Sequence, residues 1–312
     1  MGGSDSIFHS RRNVLTAVGG GSLLSIGGCI GENTSVSVLS AGSLAHTFEE
    51  HIGPAFEADA DIAVHGEYYG ANAVMRMIED GTKHPDVIVS ADSTLLRDRL
   101  YGQFTDWDVE FATNSLGIGY NPDIPFGERL EAGEPWYDIA LDTDAGDLSI
   151  GDPNLDPLGY RAVQALDLAA VGYDLDGFRE TMLELVYIEP EEPQIMAGVE
   201  SGSRAAAIVY HNMAVDHDMP FVEFPDAYNF ANPELADHYA SVQYTTDEEG
   251  YTVEGRPILY NATVNEGADH PDAGLELIQF LIDHPHILVD AGLTVGESLP
   301  RGFGEVPDGI AL

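Results

Sequence analysis

Apolar residues fall at two spacings along this chain, and the spacing switches repeatedly. Val36 to Leu39 is a short apolar run followed by the small-residue turn Ser40-Ala41-Gly42-Ser43. Leu44, Phe48, Ile52 and Phe56 then recur at near-helical spacing. Ile62 to His65 repeats the strand pattern, and Tyr68-Tyr69-Gly70-Ala71-Asn72 leads into a helix carrying Val74, Met77 and Ile78. Asp86 to Ser90 is a third strand, with Ser90-Ala91-Asp92 heading the next helix. Strand, small turn and helix repeated three times predicts parallel βα units with helices on both faces of a sheet. In such sheets ligands collect beyond the carboxyl ends of the strands, where helix N-termini point.

The middle of the chain has another texture. Leu116 to Tyr120 reads as a glycine-interrupted strand, and Asn121 to Glu134 as a Pro/Gly-rich loop. Helices are expected from about Tyr160 to Gly172 and Gly177 to Val186, ahead of the acidic, proline-bearing stretch Glu189 to Pro193. Ala205 to Tyr210 reads as a buried strand. Tyr244 to Tyr260 reads as a hairpin turning at Asp247-Glu248-Glu249-Gly250, Ile258 to Val264 as a further strand, and Leu275, Ile278, Leu281 and Ile282 as the apolar face of a closing helix.

The first thirty residues follow a different logic. Ser10-Arg11-Arg12-Asn13-Val14-Leu15 places twin arginines before a short apolar stretch that ends at Ile26-Gly27-Gly28-Cys29. A basic start, a short apolar run and small residues before a cut form an export signal, here of the twin-arginine type. Cys29, the only cysteine, stands where a lipoprotein would be cleaved and lipidated. The expected division is therefore a signal over 1–28 and a tether over 29–35. The protein would be exported and anchored by lipid on Cys29 to the outer face of the cell membrane. Asn33 and Asn261 fit the glycosylation acceptor pattern.

Composition then narrows the partners. Asp and Glu number 54 against 12 Lys and Arg, a formal net charge of −42. Such a surface repels nucleic acid and anionic lipid. Its self-repulsion is screened in molar salt, so stability is expected to depend on high ionic strength. Neither a cofactor nor a metal site is expected. His211, Asp216 and His217, like His284 and His286, read as solvated side chains. No nucleophile elbow, P-loop, HExxH or CxxC points to catalysis.

Three turns have the composition of anion cradles: Ala41-Gly42-Ser43, Gly70-Ala71-Asn72 and Asp156-Pro157-Leu158-Gly159-Tyr160-Arg161. Unpaired amides at a helix start bind an oxyanion without a cationic side chain, which suits a protein poor in Lys and Arg. The plain alternative is that Ser43, Asn72 and Asp92 only cap helices.

These turns, with Pro85 to Asp92, Asp106-Trp107, Phe111 to Asn114, Gly151 to Arg161 and Val199 to Ser203, resemble in order the tungstate/molybdate-binding proteins of ABC importers. The likeness spans nearly all of the chain after the tether. It implies a type II periplasmic-binding-protein fold, two α/β lobes with a hinged cleft. Lobe one would comprise 36–113 and 258–312, lobe two 114–257, with crossings near Phe111 to Leu116 and Pro257 to Val264. It also implies a molybdate or tungstate ligand and an ABC permease with its ATPase as partners. Ser43 would donate its hydroxyl and amide, and the amides near Leu158 and Gly159 would cap the anion from the other lobe. Asp156 falls where archaeal members place a carboxylate close to the metal of the anion. The second such carboxylate is replaced by Val209, so Tyr210, in an Ile-Val-Tyr run like that of bacterial molybdate receptors, becomes the expected donor. Ala71 stands where a serine is usual, leaving backbone amides and Asn72. The alternatives are a receptor for sulfate or a small organic acid and, behind these, a secreted enzyme.

Overall fold

The computed structural model describes residues 35–247 and 250–312. Arg11, Arg12, Cys29, Asn33 and the Glu248-Glu249 tip lie outside the described residues. The strands in chain order are β1 (Ser35–Ala41), β2 (Ala63–Tyr69), β3 (Val87–Ser90) and β4 (Trp107–Thr113), then β5 (Leu116–Tyr120), β6 (Leu148–Gly151), β7 (Tyr187–Glu189), β8 (Ala206–Tyr210) and β9 (Phe221–Glu223). A short hairpin, β10 (Gln243–Thr245) and β11 (Thr252–Glu254), precedes β12 (Leu259–Val264) and β13 (Arg301–Gly304).

They build two separate mixed sheets. The first has the order β13-β4-β12-β3-β1-β2, and the second β7-β6-β8-β5-β9. β1 pairs in parallel with both β2 and β3, the signature of the repeated βα units, while β12 runs antiparallel between β3 and β4. In the second sheet β6 is parallel to β7 and β8, whereas β5 is antiparallel to β8 and β9. The chain leaves the first sheet at Asn114-Ser115 and rejoins it at β12, so the two sheets touch through these short crossings. β3, β5, β6 and β8 are buried along their whole length, as strands covered by helices on both faces must be.

Several sequence expectations need correction. The segment after β1 is not one helix. Gly42–Leu44 forms a 3-10 turn, Thr47–Ile52 a π-helical segment and Gly53–Ala60 an α-helix, although Leu44, Phe48, Ile52 and Phe56 are buried as their spacing implied. The expected loop at 121–134 contains the helix Pro125–Glu131. Proline is tolerated in a first turn, and Phe126 and Leu130 supply the buried face. β7 and β13 carry too few apolar residues to announce themselves. Asn261 is fully buried in β12 and donates from Nδ2 to Asp108 at 2.9 Å, so its acceptor motif is closed to a glycan in the folded chain.

Candidate functional site

The carboxyl ends of β1, β2, β3, β6, β7 and β8 bring the predicted turns together, each by a different local device. After β1 the chain turns at Gly42-Ser43, where a side chain on Gly42 would lie 2.9 Å from both Glu192 Oε2 and Pro193 Cδ. After β2, Gly70 lets the helix Ala71–Glu79 start hard against the loop after β6, since a Cβ there would lie 2.4 Å from the Leu155 carbonyl. The amide of Ala73 donates to that same carbonyl at 3.2 Å. After β6, Asp156 opens the long helix Pro157–Tyr173. After β8 comes the helix His211–Asp216.

All seven predicted ligand residues are buried. Ser43 hydrogen-bonds through Oγ to the Tyr260 hydroxyl at 3.2 Å, and its carbonyl accepts from Asn212 at 2.7 Å. It is not a helix cap. Nor is Asn72, whose Nδ2 reaches the Asn154 carbonyl at 3.5 Å while its Oδ1 has no partner among the described residues. Asp92 is a true N-cap, accepting from the amides of Thr94 at 3.0 Å and Leu95 at 3.1 Å. Tyr210 accepts from Arg161 Nη1 at 2.8 Å, which occupies a lone pair and leaves the phenol proton free to donate. Ala71 contributes only its buried backbone.

The Leu158-Gly159 cradle differs from expectation. Its amides are turned to Asp156, with Gly159 N–H donating to Oδ1 at 2.5 Å. Asp156 thus caps its own helix. Burial pushes its carboxyl up to about 7, with the neighbouring Asp152 adding to the rise and the two amides opposing it.

Glu192 is the residue that sequence reasoning missed. It lies in a 3-10 turn just beyond β7, only 1% exposed, with its carboxylate facing the amides of Gly42 and Ser43 and the Ser43 hydroxyl. Neither oxygen closes a hydrogen bond among the described residues. Burial, then the charge of Asp156, drives its pKa well above the usual carboxylate range. Its charge also bears on Tyr210 and Tyr260, whose phenols burial pushes up. The available signal was position: Glu192 follows a strand parallel to β6, in the loop class where such sheets place ligands.

Behind the cradles lies a fully buried ion pair. Arg161 Nη2 meets Asp92 Oδ2 at 3.1 Å, the Tyr160 hydroxyl donates to the same oxygen at 2.7 Å, and Arg161 Nη1 donates to the Ala91 carbonyl at 3.0 Å. Because Asp92 follows β3 and Arg161 belongs to the helix beside β6, this pair joins the elements of the two sheets. In front lies a cavity of about 640 Å³, lined among others by Gly42, Ser43, His46, Gly70, Glu192 and Asp216. Of the predicted ligand residues only Ser43 reaches its wall; the rest lie deeper.

Of the sequence-local trio His211, Asp216 and His217, the first departs, while His217 shares the cavity wall with Asp216 and packs its ring 5.3 Å from that of His46. His211 bonds the Gly292 carbonyl at 3.0 Å and His217 bonds Glu200 at 2.5 Å. Asp216 turns instead to His46 and His51, from the segment after β1.

Two mixed sheets whose strand-end turns face one cavity define a type II binding-protein fold. Residues 36–293 match the family of bacterial extracellular solute-binding proteins, and the chain belongs to that family. An uncharacterised solute-binding protein of Halobacterium salinarum is 48% identical, over 96% of this chain and 97% of the relative. A putative ABC transporter molybdenum-binding protein of Haloferax volcanii is 38% identical, over 96% of each chain. Among solved structures, the periplasmic molybdate-binding protein of Azotobacter vinelandii superposes with a TM-score of 0.60 at 15% identity, covering 84% of this chain and all, 100%, of that one. No helix among the described residues is long and apolar enough to cross a membrane.

Proposed function

We propose that the protein captures a tetrahedral oxyanion, molybdate or tungstate, outside the cell and presents it to an ABC permease and its ATPase. The observation that carries this reading is the Glu192 carboxylate lodged against the Gly42-Ser43 turn. A cradle of amides and a hydroxyl faces the chain's own carboxyl group there, yet closes no hydrogen bond to it. A free oxyanion with four acceptor oxygens would use those donors better. Ser43 contributes from the first sheet and Tyr210 from the second, so a bound anion would favour closure of lobe 36–113 with 258–312 upon lobe 114–257. The molybdenum-binding relative supports the choice of anion. Asp156, already satisfied by its own helix, serves in this reading as a neutral or turned-away neighbour.

The setting belongs to the same reading. Arg11 and Arg12 direct export, and Cys29 carries the lipid that holds the receptor at the outer face of the membrane. The acid excess suits it to molar salt. Membership of the solute-binding family supports binding over catalysis.

One observation favours a second reading. A cavity of about 640 Å³ is larger than a four-oxygen anion needs, which suits a small organic acid. Titration calorimetry in molar KCl with molybdate, tungstate, sulfate and a dicarboxylate decides between them. Stoichiometric heat with molybdate or tungstate, weakened in Ser43→Ala, is the expected result. Heat from the dicarboxylate alone selects the second reading, and silence from all four defeats both.

A further inference from the structure

We infer that His46, His51 and Asp216 form a binding site for one divalent transition-metal ion of the zinc or nickel class, at the mouth of the cleft. The inference stands apart from the identity of the oxyanion.

His46 Nδ1 lies 3.6 Å and His51 Nε2 3.8 Å from Asp216 Oδ1, and one donor atom from each residue falls within 4.8 Å of the others. An ion bound at about 2.0–2.1 Å to nitrogen and oxygen sets ligand atoms roughly 3.3 Å apart in a tetrahedron. Two of the contacts are therefore within tenths of an ångström of coordination distance. Two imidazoles and one carboxylate suit zinc or nickel better than magnesium or calcium, which prefer oxygen alone.

Three independent features point the same way. The Asp216 side chain is only 1% exposed, and its Oδ1, aimed at both imidazoles, has no hydrogen-bond partner among the described residues; nor has His46 Nδ1. The other oxygen, Oδ2, is fixed by the Thr47 hydroxyl at 2.8 Å, which in turn receives Asn212 Nδ2 at 3.4 Å. Such outer contacts orient metal ligands. Lastly, the backbone between the two histidines is π-helical over Thr47–Ile52. Five residues advance an α-helix by about 500°, which leaves the fifth side chain roughly 140° away from the first. The wider π turn, bonded to the fifth residue, closes most of that gap and brings His46 and His51 to one face. The entry path exists as well: the two histidines are 39% and 38% exposed, and His46 and Asp216 line the cavity.

The three ligands come from segments three and eight residues beyond Ser43 and six beyond Tyr210. The ion would therefore tie the two strand-end segments that carry the expected anion donors.

The test titrates the purified protein with Zn²⁺ and with Ni²⁺ in molar KCl, followed by calorimetry, and reads the visible spectrum of the Co²⁺ form. One ion per chain, unmoved by excess Mg²⁺, is expected. His51→Gln, at a half-exposed position that leaves the fold intact, should weaken binding at least tenfold and change the Co²⁺ spectrum. His286→Gln, outside the cluster, should do neither. Absence of Zn²⁺ and Ni²⁺ binding overturns the site. So does equal affinity in wild type and His51→Gln, which would assign the ion to the acidic surface.

Discussion

Two buried carboxyl groups in this molecule stand under opposite conditions. Asp92 accepts two helix amides, the Tyr160 hydroxyl and the Arg161 guanidinium, so although burial opposes ionisation, its pKa is held below the ordinary value, with Arg256 and Arg161 contributing most. Glu192 is as deeply buried but faces its amides loosely, has the carboxyl of Asp156 as its charged neighbour, and is pushed well up. Both residues head strand-end turns of the same fold. The first is consumed by structure. The second keeps both oxygens without a partner among the described residues, and that difference separates a satisfied cap from a candidate site.

Breaking the satisfied side should have the largest effect. Arg161→Met strips Asp92 of its hydrogen-bonded cation in the dry interior, and removal of one member of a buried pair costs about 3–5 kcal/mol. Denaturant unfolding in molar KCl should show that loss. A change under about 1 kcal/mol would mean that Arg256, 3.9 Å from Asp92, takes over the charge.

Tyr210 touches both sides of the comparison, since Arg161 fills its acceptor while its proton points to no partner among the described residues. Tyr210→Phe should therefore lower oxyanion affinity by about 10- to 100-fold, in line with roughly 1.5–3 kcal/mol for a hydrogen bond to a charged group. Calorimetric affinity unchanged from wild type would remove Tyr210 from the site.

The smallest effect, and the most diagnostic, concerns pH. Raised carboxyls such as Glu192 and Asp156 contribute stability that is fully present below the ordinary carboxylate range. That contribution is lost as pH rises through the folded value, about 7 for Asp156. Asp92, with its depressed value, contributes in the opposite sense and loses its share only in acid. Glu192→Gln should thus raise the melting temperature above that of wild type near pH 8, with the gap narrowing toward pH 4. A gap that widens toward acid would show that Glu192 is held as a satisfied ion, like Asp92.

Much of the first sheet was legible in the sequence because its βα units alternate apolar runs with small-residue turns. β3 and β8 read directly as continuous apolar stretches. β7 did not, since Tyr187 and Ile188 are partly exposed and a three-residue edge strand leaves no period to detect. Missing β7 hid Glu192, whose acidic, proline-flanked segment looks like solvated loop. Among the site residues, Ser43 and Asp156 could be placed by their turns. The partners of Ser43 could not, because Tyr260 and Asn212 arrive from distant segments. Asp216 shows the same limit. Its sequence neighbour His211 turns away, and the neighbours that meet its free oxygen lie about 170 residues earlier, brought there by the meeting of two sheets.

The Glu192 carboxylate also sets a threshold and a direction. A group tethered to its own binding site competes at an effective concentration on the order of millimolar for a flexible link, and higher when packed in place. On the proposed reading, a weakly held ion such as chloride would have to displace this carboxyl at every encounter, so the cradle would resist casual loading. On the same reading, the group that yields to the cargo would stand ready to re-enter the cradle when the cargo leaves, which favours release over rebinding.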